Sequence, residues 1–217
     1  MDIFIIGDIH GCFYTFKKLL NKLDKDNEIL VQVGDLIDRG KNTPQTVHLA
    51  RNLKQKHPNN VIFLKGNHEF EFIQHIEKAP NLHWVNHCGE ETLYQYKLNN
   101  RNIKNDMDWF KEMPLFWENS DLFISHAGIA KEAANPFEES SNLSVIWNRN
   151  QLKNLNKLQI IGHTPCKEPM YDEVSNSWNI DTGAAYQGYG YLTGVKVKSN
   201  GTIIEFLKEK TDVKDII

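Results

Sequence analysis

Six side chains able to bind a metal stand where short apolar runs stop: Asp8 and His10 in "GDIHG", Asp35 in "GDLIDRG", Asn67 in "GNHE", His126 in "SHAG" and His163 in "GHT". Taken singly, each reads as an ordinary turn aspartate, capping asparagine or hydrogen-bonded histidine. Their recurrence at five separate run ends reads instead as one shared metal site. Oxygen and imidazole donors without thiolate suit Mn, Fe, Zn or Co better than Ca, and argue against a structural zinc. Six ligands are too many for one open catalytic ion and suit two. Asp35 is the natural bridge, because the oxygens of one carboxylate can serve both ions. Two divalent ions are therefore expected, with Mn first and Fe, Zn and Co as alternatives.

The elements that must position these groups follow from periodicity. The runs "IFIIGDIHG", "ILVQVGDLIDRG", "VIFLKGNHE", "LFISHAG" and "QIIGHT" each pair a β-branched or aromatic stretch with a polar residue at its end. Between the first two, Phe13, Phe16, Leu19, Leu20 and Leu23 fall at helical spacing. Between the second and third, Thr43 is the expected N-cap, with Pro44 at the first helical position and Val47, Ala50 and Leu53 as the apolar stripe. Strand and helix in alternation predict parallel pairing, with ligands beyond the carboxyl ends of the strands. Residues 69–119 break the alternation with helical segments at "EFEFIQHIEKA", "EETLYQYKL" and "DMDWFKEM", a helical excursion beside the site. After His163, "SWNIDTGAA", "GYLTGVKVK" and "TIIEFLKE" read as antiparallel members of a second sheet packed on the first. The expected fold class is α/β, a two-sheet β-sandwich flanked by helices, in a single domain over residues 1–217.

Composition narrows the partners. With 217 residues, 24% charged and a formal net charge of -3, the chain has neither a disordered tail nor the basic field of a nucleic-acid binder. An anionic substrate must be attracted locally. Cys12, Cys88 and Cys166 form no Cys-x-x-Cys pair and read as free thiols of a reducing compartment, which makes the cytoplasm the expected location. No apolar stretch is long enough to span a bilayer, so no membrane partner is expected. His48, His57, His75, His83 and His87 read as surface or packing residues, Cys12 as a small packed residue and Asp181 as a turn or sheet residue.

In this order, "GDIHG", "GDLIDRG", "GNHE", "HAG" and "GHT" resemble the phosphoprotein phosphatase family within the calcineurin-like metallophosphoesterases, over residues 3–194. "GEETLYQY" at 89–96 and "WNR" at 147–149 resemble its compact bacterial and phage serine/threonine phosphatase branch. The resemblance implies four layers, α/β/β/α, with the dinuclear site at the strand ends. It implies that Asp8, His10 and Asp35 hold the first ion, and Asp35, Asn67, His126 and His163 the second. It also makes His68 the general acid oriented by Asp38, and has Arg39 and Arg149, with Asn67, holding the phosphate. These roles agree with elementary chemistry. Two divalent ions about 3.5–4 Å apart ionise a shared water. The planar fork of arginine matches a phosphate, and an imidazolium can protonate a leaving oxygen.

The function implied is phosphomonoester hydrolysis on phosphoserine and phosphothreonine, extending to phosphotyrosine, by direct attack of a metal-bridging hydroxide. Its partner would be a phosphoprotein or phosphopeptide. Symmetrical hydrolysis of a dinucleoside tetraphosphate is the alternative that uses the same site. A nuclease of the wider superfamily would carry a second histidine after "GH", where this chain has Pro165. A non-enzymatic phosphate-binding module would have dropped a ligand or His68, and none is missing.

Overall fold

The computed structural model describes residues 1–78, 80–186 and 190–216, so Ala79, at the end of the first expected helix of the excursion, lies outside them. The strands are β1 (Asp2–Ile6), β2 (Glu28–Gln32), β3 (Val61–Phe63), β4 (Phe116–Glu118), β5 (Leu122–Ser125), β6 (Leu158–Ile161), β7 (Met170–Asp172), β8 (Ser177–Asn179), β9 (Tyr191–Val197) and β10 (Ile203–Lys210). The α-helices are α1 (Phe13–Leu20), α2 (Thr43–Lys56), α3 (Asn67–Glu77), α4 (Leu82–Trp84), α5 (Glu90–Leu98) and α6 (Ile103–Lys111), with a π-helical turn at Val85–Gly89. None is long and apolar enough to cross a membrane.

Two mixed sheets are flanked by helices. The first has the order β10-β9-β1-β2-β3 and the second β4-β5-β6-β8-β7. The continuous apolar run of β1 explains the layering. Alternate side chains of a strand face opposite ways, so Phe4 and Ile6 join Phe16 and Leu19 of α1 in the core beneath the helices. Ile3 and Ile5 point the other way and meet Leu122, Ile124 and Ile160 in a second core between the sheets. A strand buried on both faces needs no alternation in its sequence, and β1 has none. The outer face of the second sheet is covered by Val145, Ile146 and Trp147, together with Phe70 of α3, around Phe123. Residues 126–157, which supply much of that cover, form turns and bends rather than helix.

The carboxy-terminal strands differ from expectation. Of the three stretches assigned to the second sheet, only "SWN" is there, as β8 parallel to β6. β9 pairs antiparallel with β1 in the first sheet, and β10 pairs with β9. The parallel trio grows in one direction from β1, leaving its other edge open, and β9 closes it with buried Leu192, Val195 and Val197. The start of α2 is also displaced: Asn42 is the N-cap residue and Thr43 already lies in the helix. The Thr43 hydroxyl instead accepts the backbone N–H of Asp38 at 3.2 Å, so it serves the site loop rather than the helix.

Candidate metal and catalytic centre

β1, β2 and β3 run parallel, as do β5 and β6, and the residues that follow all five converge on one edge of the sandwich. The peptide N–H of His163, after β6, donates to the Asp8 carboxylate, after β1, at 3.1 Å. That of His68, after β3, donates to Asp35 Oδ1, after β2, also at 3.1 Å. Asp8, His10, Asp35, Asn67, His126 and His163 are all buried there.

Two clusters share Asp35: His126 and His163 lie with it in one, and His10 and His68 in the other; buried Asp8 belongs to neither and reaches the centre through the His163 backbone. In one, Asn67 Oδ1, His126 Nε2 and His163 Nδ1 lie 2.9–3.1 Å apart, with Asp35 Oδ2 3.4 Å from His126 Nε2. In the other, Asp35 Oδ2 is 3.6 Å from His10 Nε2. The far nitrogens set the tautomers. His10 Nδ1 donates to the Ile37 carbonyl at 2.9 Å and His126 Nδ1 to the Val33 carbonyl at 3.1 Å. The Nε2 lone pairs of both rings therefore point inward. Among the described residues, no partner at His163 Nε2 fixes that ring's proton; with Nδ1 unprotonated, three inward lone pairs meet at Asn67, His126 and His163 and a cation satisfies them all, so the donor set fits a pair of divalent ions. Burial, the largest influence, pushes His126 down to about 3 and holds His10 and His163 well below the ordinary histidine value. All three are neutral, the form that ligates.

The backbone meets this geometry at a cost. Among the described residues, the non-glycine residues with positive φ are His10, Asp35, Asp38, Arg39 and His163, together with three asparagines. Asparagine and aspartate tolerate that region, whereas His10, Arg39 and His163 each carry strain of about 1–3 kcal/mol. Two glycines allow the close approach. A Cβ on Gly66 would lie 2.1 Å from Asp35 Oδ1, and one on Gly162 1.9 Å from Asp8 Oδ1. The glycines before Asn67 and His163 are thus steric requirements of the carboxylates opposite them.

Beside the ligands, His68 Nδ1 meets Asp38 Oδ2 at 2.5 Å. Asp38 is fully buried and also accepts from Trp84 Nε1 at 2.7 Å, Thr92 Oγ1 at 2.5 Å and Cys88 Sγ at 3.4 Å. Burial alone would raise Asp38, but these bonds and the His68 charge outweigh it and hold the carboxyl below its usual range. Burial likewise opposes a charged His68, yet Asp35 and then Asp38 overcome it and hold the imidazole well above its ordinary value. Glu69 accepts from the backbone N–H of Asp35, Leu36 and Gly66, each at 2.9 Å, which clamps the Asp35 loop to the start of α3.

Of the expected phosphate holders, Arg39 is exposed, with Nη2 3.4 Å from His68 Nε2 and its guanidinium 4.6 Å over the Tyr186 ring. Arg149 is also exposed, and its Nη1 donates to Thr164 Oγ1 at 3.2 Å. Asn67 is buried, its carbonyl oxygen committed to the histidine group.

Sequence reasoning missed several contributors. Trp84 and Cys88 have no local signal, and Thr92 lies inside the quoted "GEETLYQY" without an assigned role. Glu69 closes "GNHE" and was available to the same reasoning. Asp181 accepts from Gly183 N at 2.9 Å, as a turn aspartate does, and lies in neither cluster that shares Asp35, yet it is buried. Burial first, then Asp35, pushes it up to about 7 against Arg39 and Arg149. His48, His83 and His87 are exposed and His57 and His75 half-buried, all outside the two ligand groups. Cys12 is fully buried, as a packed residue should be.

Fold and centre together define a metal-binding hydrolase of the metallophosphoesterase type. The chain belongs to the calcineurin-like phosphoesterases, whose family model matches residues 1–195 and whose members use divalent metals in a dinuclear site. It is 29% identical to the asymmetrical bis(5′-nucleosyl)-tetraphosphatase PrpE of Anoxybacillus flavithermus, over 92% of this chain and 91% of that one. To the symmetrical bis(5′-nucleosyl)-tetraphosphatase of Chromobacterium violaceum it is 31% identical, over 61% of this chain and 45% of that one. Among solved structures, a protein serine/threonine phosphatase from Saccharomyces cerevisiae superposes with a TM-score of 0.71 at 18% identity, over 98% of this chain and 80% of that one, a likeness of fold.

Proposed function

We propose that this chain, as one domain over residues 1–217, hydrolyses dinucleoside tetraphosphates asymmetrically, to a nucleoside triphosphate and a monophosphate. The observation that carries the chemistry is geometric: His10 Nε2 and His126 Nε2 turn toward Asp35 Oδ2 and His163 Nδ1 toward Asn67 Oδ1, while the His68 ring is held at Nδ1 by buried Asp38 with Nε2 facing the same centre. The first three histidines are ligands and the fourth is an acid. The substrate class draws on the relatives. The likeness that runs the length of both chains is to an enzyme named for the asymmetrical reaction, whereas that to a symmetrical enzyme covers less than half of it.

In this reading Asp8, His10 and Asp35 hold one ion, and Asp35, Asn67, His126 and His163 the other, with Mn the proposed metal. Bound there, the ions supply Lewis acidity and ionise a water to serve as nucleophile. Arg39 and Arg149 grip phosphate oxygens. His68 Nδ1 is committed to Asp38, so Nε2 delivers the proton to the leaving oxygen while Asp38 stabilises the imidazolium. The proposed compartment is the cytoplasm, in keeping with three free thiols.

Phosphoserine and phosphothreonine hydrolysis is the second reading, favoured by the motif set and by "WNR" at 147–149. The two are separated by assaying Mn-loaded protein on diadenosine tetraphosphate and on phosphoserine, phosphothreonine and phosphotyrosine peptides, with Asp35→Ala as blank. The expected result is ATP plus AMP, at a kcat/KM at least tenfold above that for any peptide, worth about 1.4 kcal/mol. Two equivalents of ADP would replace the asymmetrical reaction by the symmetrical one, and a tenfold preference for peptides would establish the second reading.

A further inference from the structure

Two chain segments that leave the centre run directly into the wall of one groove. Arg149 is followed by Asn150 and Gln151, and His163 by Thr164 and Pro165. All four followers line a cavity of about 280 Å³ on the face of β6, β7 and β8. The Arg149–Thr164 hydrogen bond ties the two segments together at the mouth. Buried Asn148 fixes the turn behind Arg149, accepting from Asn150 N at 2.9 Å, and Asn179 donates to the Thr164 carbonyl at 2.7 Å. The groove is thus built onto the phosphate-facing side of the centre.

Its chemistry differs from that of the centre. Leu152, Ile161, Pro165 and Met170 make the walls largely apolar, and among the described lining residues there is no lysine or arginine. The charged group present is Asp172, already engaged by Ser175 Oγ and Val174 N. Such a lining disfavours a phosphate and suits a neutral, flat, partly polar group. At about 280 Å³ it is just below the ~300–1,000 Å³ of whole drug-sized ligands, enough for one base with its ribose and too small for a dinucleotide.

We propose that this groove binds one nucleoside of the substrate, with the phosphate chain passing Arg149 and Thr164 to reach the metal centre. The assignment rests on the dinucleotide reading above. Pro165 and Met170 clasp the base, and the exposed Asn150 and Gln151 side chains offer donors and acceptors to its edge. A phosphopeptide would instead place an apolar side chain there.

The test is calorimetric binding of AMP and of ribose 5-phosphate to Mn-loaded protein, for the wild type, Met170→Ala and Gln151→Ala, beside turnover of diadenosine tetraphosphate. Met170 is 60% exposed and Gln151 is exposed, so both variants should fold, with unchanged melting temperature and unchanged turnover of p-nitrophenyl phosphate. The expected result is AMP binding at least tenfold tighter than ribose 5-phosphate in the wild type, the advantage falling to threefold or less in Met170→Ala. An advantage that survives both substitutions, or none in the wild type, overturns the groove assignment even if the dinucleotide is cleaved. Failure to cleave the dinucleotide, with the AMP advantage present and lost on substitution, overturns the catalytic reading and leaves the groove a nucleoside site. Loss of phosphopeptide affinity in the variants, with AMP binding unaffected, assigns the groove to a peptide and overturns the proposal.

Discussion

On the first-sheet side of the centre, Asp38 is buried and accepts from His68, Trp84, Thr92 and Cys88, while the neighbouring Asp35 loop is clamped by Glu69. On the second-sheet side, Arg149 is exposed and donates to Thr164. The difference lies in how many partners determine a side chain's position. An ion pair in a low-dielectric interior must be fully satisfied, and removing one partner strands the other. An exposed arginine loses little when its partner goes. In the proposed reading, proton transfer and metal binding, which need fixed geometry, lie where it is over-determined, and the substrate-facing arginine lies where a side chain can change without endangering the fold.

The sharpest break of this comparison is Asp35→Ala. Asp35 Oδ2 stands between both donor groups, so both metals and all activity above background should be lost together. Two ions per chain in metal analysis of the variant would refute the bridging role. Next is His68→Ala, expected to cost about 10² to 10⁴ in rate on an alkyl phosphate. The loss should be much smaller on p-nitrophenyl phosphate, whose leaving group needs little protonation, and equal losses on the two would remove His68 as the acid.

Asp38→Asn tests what holds that acid protonated. Asp35 and Asp38 raise His68 against burial, so removing the Asp38 charge lowers its pKa. The protonated form exists below that pKa, so the alkaline fall of kcat/KM should begin at lower pH than in the wild type. An unmoved alkaline limb would separate Asp38 from the acid. The same sign holds for stability. The net contribution of His68 is full below its unfolded value near 6.5 and is lost as pH rises through the raised folded value.

The smallest effects compare the two sides directly. Trp84→Phe keeps the ring packing and removes a hydrogen bond to a buried carboxylate, which should cost about 1.5–3 kcal/mol in urea unfolding. Arg149→Ala should cost less than about 0.5 kcal/mol while weakening inhibition by phosphate or vanadate. Equal destabilisation by the two would erase the distinction between the over-determined and the open side.

Much of the frame was legible because it rests on local signals. The apolar runs read as strands and the 3.6-residue stripes as helices, and the ligand-type residues stood at strand ends. What was not legible depended on distance. Trp84 reaches Asp38 across 46 positions, and nothing near Trp84 distinguishes that indole from a packed one. The place of β9 escaped for a similar reason, since its residues declare a strand but not which open edge receives it.

By itself, then, the sequence determined which atoms are available for chemistry and the order in which the chain presents them, because residue type and periodicity are local properties. It also placed glycine where Asp8 and Asp35 later press against the backbone. Only the tertiary structure decided protonation and exposure. His126 and His68 are the same residue type, yet one is pushed down to about 3 and the other held well above its ordinary value. The physical reason is that burial and neighbouring charge set a pKa, and both come from residues far away in the chain. The same holds for Asp181, which the chain writes as a turn and the fold buries, pushing its carboxyl up to about 7.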